Sequence, residues 1–435
     1  MVLAEQTLVD QHITMFNEHK IENKIVNKIE KKIKVHSLIG RITSTLMYKA
    51  WKNIRRNRGA AGIDKESIKM FEDNLNQNLQ VLMRELKLGT YQPIPLRRHY
   101  IPKGIGKQGT RPLGIPSVRC RIAQEVVRLL INPIFEKIFH ENSFGFRPGR
   151  NCHQAVKKVL ALTKQGYTHV VDADIKGFFD NISHDLIMGA MTSEIADGKI
   201  LTLIERFLKA GVMEEGILYP TTRGAPQGGV ISPIISNAVL NYLDHKLSEQ
   251  NYHFVRYADD FVVLCRTRNQ AESALAIIKS IIENDLELEL SPEKTKISSS
   301  GKGFNFLGFL IKRGRLEMGD KAIEKFKAKV RMITTRSHNY SKETVDKLNR
   351  VTRGTLNYFV TPLSKVKQFR KLDEWIRKRL RCMKYKRISR RDNFRLKIKA
   401  LRKTGFLMCL DLFAMIKTKL VNSQSWATVF GIARC

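Results

Sequence analysis

Two adjacent carboxylates, Asp259 and Asp260, sit in the stretch Phe254-Val-Arg-Tyr-Ala-Asp-Asp-Phe-Val-Val-Leu-Cys265, at the bend between two β-rich runs. Carboxylates so placed repel unless a proton or a cation intervenes. A hydrated Mg²⁺ bound through a few carboxylates and substrate phosphates meets that need, with Mn²⁺ as a substitute; for an Asp-Asp dipeptide alone, a solvated turn is the competing reading. Upstream, the run His169-Val-Val-Asp-Ala-Asp-Ile-Lys-Gly-Phe-Phe-Asp180 alternates with period two. Val170, Asp172 and Asp174 fall on one face, and Val171, Ala173 and Ile175 on the other. With Asp174 beside the Asp259-Asp260 tip, three carboxylates can hold two metal ions roughly 3.5–4 Å apart, the arrangement that activates a hydroxyl nucleophile and steadies a departing pyrophosphate.

The elements that must position these groups lie in a strongly basic chain. Its 435 residues are 43% hydrophobic, enough for two or three domains with real cores. Lys and Arg number 77 against 41 Asp and Glu, a net charge of +36, so the partner is a polyanion. Nucleic acid outranks a membrane, because no apolar run approaches the ~20 residues a bilayer requires. The six cysteines (120, 152, 265, 382, 409 and 435) form no C-x-x-C pair, which indicates neither a zinc ribbon nor a disulfide framework and fits a reducing compartment. The first residues lack an export signal, and Glu5, Asp10 and Glu18 argue against an organellar presequence. A cytoplasmic protein, bacterial in type, with no stable membrane partner is the expectation.

Along the chain, Ile21, Ile25, Ile29 and Ile33 with interleaved lysines predict a basic amphipathic helix over 20–36. Its surface suits RNA, a membrane face or plain solvent. A helix over Leu46–Ile54 leads into Arg55-Arg-Asn-Arg-Gly-Ala-Ala-Gly-Ile-Asp64, where Arg55, Arg56 and Arg58 are suited to phosphates. Residues 85–120 read as strand, Gly-rich loop and strand, with Lys103 and Arg111 placed to clamp a triphosphate. In Gly224-Ala-Pro-Gln-Gly-Gly229 the glycines let backbone approach a ligand and Gln227 can bond a base; Ser232 then caps a helix with Pro233 at its first position. Gly303–Ile311 predicts an apolar strand pair, and from about 320 the pattern turns helical. Between Lys367 and Lys403 stand 17 Lys and Arg against three Asp and Glu, an imbalance that favours an RNA-binding surface.

In this order the motifs resemble those of a group II intron reverse transcriptase/maturase. The pieces are Ile101-Pro-Lys103 with Arg111-Pro-Leu-Gly-Ile-Pro116, Ser143-Phe-Gly-Phe-Arg-Pro-Gly-Arg150, Asp174-Ile-Lys-Gly-Phe-Phe-Asp180, Ala225-Pro-Gln-Gly-Gly229, Arg256-Tyr-Ala-Asp-Asp260, Ser291-Pro-Glu-Lys-Thr-Lys296 and Phe306-Leu-Gly-Phe309. An ordered set is far more specific than any one motif.

The resemblance implies an α+β right-hand polymerase, with an antiparallel sheet in fingers and palm (37–312) after a basic amino-terminal extension (1–36). A helical thumb (313–366) and a basic maturase or X domain (367–435), shorter than the family's full one, follow. It implies RNA-directed DNA synthesis with two Mg²⁺ on Asp174, Asp259 and Asp260. Phe179 falls at the steric gate, Lys103, Arg111 and Gln227 in the nucleotide pocket, and Phe306, Leu307 and Gly308 at the primer grip. Template and intron RNA would meet Arg55, Arg56 and Arg58, and Arg377, Arg379, Arg381, Lys384, Lys386 and Arg387. The implied partners are intron RNA, an RNA template with a DNA primer, deoxynucleoside triphosphates and target DNA. An RNA-binding splicing factor without essential synthesis and a defence or retron-type reverse transcriptase are the alternatives. No Cys/His-rich tail of an HNH endonuclease is present.

Overall fold

A computed structural model describes residues 34–102 and 109–422. Capping and apolar spacing set out the first helices. Thr43 accepts the Leu46 N–H at the start of α1 (Ser44–Arg56), which buries Met47, Ala50, Trp51 and Ile54 at helical spacing. The short α2 (Ile68–Asp73) and then α3 (Leu75–Leu88), ended by Gly89 in the left-handed region, pack beside it. Most of the expected basic helix lies outside the described residues. Its last positions, 34–36, are extended, with Val35 bridging Ile195 in parallel.

Strands β1 (Leu96–Pro102) and β2 (Thr110–Ile115) form the expected antiparallel hairpin. After α4 (Val118–Phe135) and α5 (Cys152–Lys164) comes the acidic strand β3 (His169–Ala173), then α6 (Phe178–Asn181), α7 (His184–Thr192) and α8 (Gly198–Leu208). The short β4 (Val212–Glu214) and β5 (Ile217–Tyr219) extend the hairpin into a sheet of order β2-β1-β4-β5. Helix α9 (Ser232–Glu249) begins one residue earlier than expected, with Ile231 at its cap. Ser232 turns its hydroxyl back to the Pro226 carbonyl (2.8 Å), while the Gln124 carbonyl oxygen accepts the Val230 N–H (2.7 Å). Ser232 therefore is not the cap, the helix start carries no side-chain cap bond, and Gln124 of α4 ties down the segment just before it.

The sheet that carries the carboxylates has the order β6-β7-β3-β8, built from β6 (His253–Tyr257), β7 (Asp260–Cys265), β3 and β8 (Lys296–Ser299), with α10 (Arg268–Ser280) between β7 and β8. All its pairings are antiparallel. Both faces are covered: Val171, Ala173, Phe261 and Val263 join the core with α9, whereas Val170, Val262 and Leu264 pack with Val156 and Leu160 of α5. Two-sided burial explains the continuous apolar run of β7. A three-stranded sheet follows, β9 (Phe304–Phe306), β10 (Phe309–Lys312) and β11 (Arg315–Met318), in the order β11-β10-β9.

Helices α11 (Asp320–Ile333), α12 (Lys342–Phe359), α13 (Val366–Tyr385), α14 (Asp392–Arg395), α15 (Ile398–Lys403) and α16 (Cys409–Asn422) complete the described chain. Val330, Leu348, Leu356, Leu372, Leu380, Leu401 and Leu412 belong to one buried cluster. The expected thumb and the basic region beyond residue 366 therefore share a core. Among the described residues, no helix is long and apolar enough to cross a membrane.

Candidate active site

The β6–β7 hairpin turns through Ala258 and Asp259, with Tyr257 paired to Asp260 across the turn. Ala258 has φ +59°, in the left-handed region, a conformation that costs energy for any residue with a Cβ. Tertiary contacts hold it there. The fully buried Arg256 donates to the Ala258 carbonyl (3.0 Å), to the Asn237 carboxamide oxygen (2.9 Å) and, through a two-pronged pair, to Asp244 (2.7 and 2.5 Å). Asn237 in turn donates to the Gly145 carbonyl (2.8 Å). Gly145 lies so close that a Cβ there would meet the Ala258 nitrogen at 2.3 Å. Only glycine leaves room for the turn.

That brace aims Asp259 and Asp260 toward β3, whose end carries Asp174 and, one register position inside, Asp172 opposite Val262. Asp260 opens β7 and is exposed to solvent, while the residues after it in the strand are buried. Desolvation around its carboxyl, then the Asp172, Asp259 and Asp174 charges, push it up to about 7, and the Leu307 backbone acts the other way. Asp259 is also raised, first by burial and then by Asp174, while Arg111 and Lys294 act against the rise. Burial raises Asp172 as well. Lys294 of the Ser291–Lys296 motif reaches Asp174 at 2.6 Å.

An excess of negative charge in a confined place is the electrostatic signature of a cation site. Oxygen-only donors suit Mg²⁺ or Mn²⁺. Among the described residues, however, no three such groups stand close enough to enclose an ion. The carboxylates therefore fit an ion that keeps water and takes substrate oxygens, with Lys294 on Asp174 as the cation in the bare protein.

The surrounding walls are zipped together by backbone. Phe179, half-buried on α6, accepts the Ala225 N–H (2.8 Å), and Gly224 donates to Ile182 (2.7 Å). Gln227 gives its amide to both Asp180 oxygens (2.9 and 2.8 Å), while its main-chain carbonyl accepts the Gly114 N–H (2.8 Å). A Cβ at Gly228 would strike the Gly114 carbonyl at 2.4 Å, so close backbone approach joins this segment to the strand carrying Arg111. Backbone contacts thus hold the segments of Phe179 and Gln227 together and against the strand that carries Arg111. Lys103 lies outside the described residues. Phe306 is buried, and Leu307 and Gly308 turn with φ of +50° and +81°.

Arg55 pairs with Glu72 (3.0 Å), and Arg56 and Arg58 are exposed where α1 ends. The loop after them is stapled by Arg121 to the Ala60 carbonyl (2.7 Å) and by Arg97 to that of Ala61 (2.8 Å). In the basic region several candidate RNA contacts are committed to protein. Arg379 donates to the Thr334 carbonyl (2.7 Å), Arg381 to that of Leu396 (3.1 Å), Lys386 to that of His338 (2.7 Å) and Arg377 to that of Asp373 (3.3 Å). Arg387 pairs with Asp392 (3.1 Å), and Lys384 lies over the Tyr340 ring. Lys378, Arg390, Arg391, Arg395, Lys397 and Lys399 are exposed instead. Several of them line a cavity of about 910 Å³, and Phe394 nearby is 78% exposed.

Sequence reasoning missed the Arg256–Asp244–Asn237 brace, Lys294 as the Asp174 partner, and Phe394. A charged residue inside the apolar run Phe254–Tyr257 was the available signal for Arg256. Its partner could not be chosen, because Asp244 is one acid among 41.

Residues 101–311 match the family model for reverse transcriptase (RNA-dependent DNA polymerase), and residues 323–403 that for the group II intron maturase-specific domain. Protein YkfC of Escherichia coli (strain K12) is 37% identical over 300 residues, 60% of this chain and 78% of that one. The group II intron-encoded protein LtrA of Lactococcus lactis subsp. cremoris is 32% identical over 333 residues, 61% of this chain and 55% of its own length. A solved structure of telomerase from Candida albicans in complex with a TWJ fragment of telomeric RNA aligns with a TM-score of 0.41 at 12% identity, over 84% of this chain and 68% of that one. With the reverse transcriptase match spanning the strands around Asp174, Asp259 and Asp260 and the maturase-specific match in the helical region after it, the chain belongs to the group II intron-encoded reverse transcriptase/maturase family.

Proposed function

We propose that this chain copies RNA into DNA at the cleft floored by Asp174, Asp259 and Asp260, and that its basic helical region binds the parent intron RNA to assist splicing and retrohoming. The observation that carries the reading is the gathering of Asp172, Asp174, Asp259 and Asp260 at adjoining strand ends in a chain of net charge +36. A pure RNA binder gains nothing from carboxylates facing phosphates.

In this reading the three aspartates hold two divalent ions, Mg²⁺ in the cell. Such ions supply Lewis acidity at the attacking 3′-hydroxyl and the leaving pyrophosphate. Arg111, with Lys103, neutralises the incoming triphosphate. Gln227, anchored by Asp180, contacts the nucleotide, and Leu307 and Gly308 place the primer end. Arg55, Arg56 and Arg58 steer the template. The setting is a bacterial cytoplasm, with target DNA as the final acceptor of the copied intron.

The test is extension of a DNA primer on an RNA template with purified protein. Full-length DNA is expected; RNA binding with no extension would overturn the reading in favour of a splicing factor. Phe179 supplies a second result. In this reading its ring excludes a ribose 2′-hydroxyl, so Phe179→Val should cut discrimination against ribonucleotides by roughly 10- to 100-fold, read from incorporation of each triphosphate.

The exposed basic surface around Phe394 offers charge for phosphates and a ring on which an unpaired base can stack. Replacing Arg390, Arg391 and Arg395 by Gln should flatten the log K against log salt slope for intron RNA by roughly one unit for each phosphate left without its cation. Arg379→Gln acts on a structural carbonyl clamp and should chiefly lower stability. An unchanged slope in the triple variant would remove this surface from the RNA interface.

A further inference from the structure

The cavity in the basic region carries more than charge. It lies where α13 meets the loop before α14 and the start of α15, and its volume of about 910 Å³ falls in the range of roughly 300–1,000 Å³ that holds small organic ligands. Lys378, Arg390, Lys397 and Lys399 line it and are exposed, as phosphates require. Ile388 and Ile398 also line it and leave apolar surface in water, with Ile388 62% exposed. Phosphate has no use for them.

A second feature points the same way. Asp392 forms part of the cavity wall and is 1% exposed. One of its oxygens accepts from Arg387 at 3.1 Å, whereas Oδ2 is buried and has no hydrogen-bond partner among the described residues. Buried polar atoms are rarely left so, and this one calls for a donor. The phosphates of a nucleic acid have none to give and are repelled by a carboxylate. An unpaired nucleobase supplies what the wall lacks: flat faces for the isoleucines, an N–H on its edge for Asp392, and flanking phosphates for the cations. Phe394, 78% exposed and two positions after Asp392, offers the neighbouring base a ring.

We propose that this cavity receives one unpaired nucleotide of the bound RNA, with its base against Ile388 and Ile398 and an exocyclic amino group donating to Asp392 Oδ2. The site rests on the reading of the basic region as an RNA-binding surface and adds base selectivity to it. Adenine, cytosine and guanine each carry such an amino group. Uracil offers only its ring N–H, set between two carbonyl oxygens that the carboxylate repels.

The test uses the full chain with its polymerase cleft filled by an RNA–DNA duplex ending in a dideoxynucleotide, and follows the fluorescence anisotropy of short single-stranded RNAs. One is built of adenosine and the other of nebularine, which differs only in lacking the exocyclic amino group. The wild-type protein should bind the adenosine RNA about five- to tenfold more tightly. In Asp392→Asn, Arg387 holds the new carboxamide oxygen and turns its NH₂ to where Oδ2 stood, so the preference should vanish or reverse, with thermal unfolding confirming the fold. Ile388→Ser, at an exposed side chain, should weaken the adenosine RNA about threefold without changing the slope of log K against log salt. Should Asp392→Asn fail to fold, the wild-type ratio and Ile388→Ser decide alone. Equal affinity for the two RNAs in the wild-type protein, a preference that survives Asp392→Asn, or no loss in Ile388→Ser overturns the inference. No binding of either RNA by the wild-type protein would instead overturn the RNA-binding reading of the region.

Discussion

Asp259→Asn should abolish DNA synthesis on an RNA template, a loss of at least a thousandfold, roughly 4 kcal/mol or more of transition-state stabilisation. The substitution keeps the shape of the turn and removes one anionic oxygen donor. Asparagine accepts the same local bonds but holds a divalent ion poorly. The fold should not suffer, and the linkage has a definite sign. Asp260 titrates near 7 in the folded protein and near 3.9 when unfolded. Between those values the folded state binds the extra proton, so in the metal-free protein stability falls as pH rises through that window. Asp259 is one of the charges that raise Asp260, and neutralising it should make that fall shallower. Synthesis lost with equal or greater metal-free stability at pH 8, read from thermal unfolding, is the expected pair of results. Undiminished synthesis would remove Asp259 from the metal set.

The largest effect on stability should come from the brace under the turn. Asp244→Ala leaves the Arg256 guanidinium charged, fully buried and without its two-pronged carboxylate. Breaking a buried pair from one side costs about 3–5 kcal/mol, because the remaining charge is uncompensated. Urea unfolding should report a loss of that size. The same variant loosens the Ala258 turn, since Arg256 also holds the Ala258 carbonyl and Asn237. Synthesis should therefore fall further than the unfolded fraction accounts for. A cost under 1 kcal/mol would mean that the pair contributes little to the native state.

The sequence was most legible where a local pattern carried the information. Period-two alternation placed Asp172 and Asp174 on one face of β3, and an Asp-Asp bend between Val- and Phe-rich runs located the β6–β7 turn. The β6–β7 pair takes the expected hairpin geometry because its two-residue turn fixes the register. Contacts that depend on tertiary approach were not legible. Gly145 reads as one glycine among 27, yet it is the residue against which the Ala258 turn closes. Nothing near Ser232 signals that Gln124, 106 positions before Val230, holds the approach to α9. The arginines of α13 look alike in sequence, and only the packed structure separates Arg379 and Arg381, spent on carbonyls, from those that face solvent. Charge composition identified the polyanion partner because net charge is a property of the whole chain. Which cations touch the partner depends on the fold.

The central claim is that the acidic floor of the cleft performs divalent-ion-dependent, RNA-templated nucleotide addition. The most direct measurement is single-turnover addition of one deoxynucleotide to a DNA primer opposite a templating ribonucleotide, before and after chelation. One complementary nucleotide should be added with Mg²⁺, none after EDTA, and the rate should return when Mg²⁺ is restored in excess. Addition that persists in EDTA, or no addition by folded, RNA-binding protein supplied with Mg²⁺ or Mn²⁺, would contradict it.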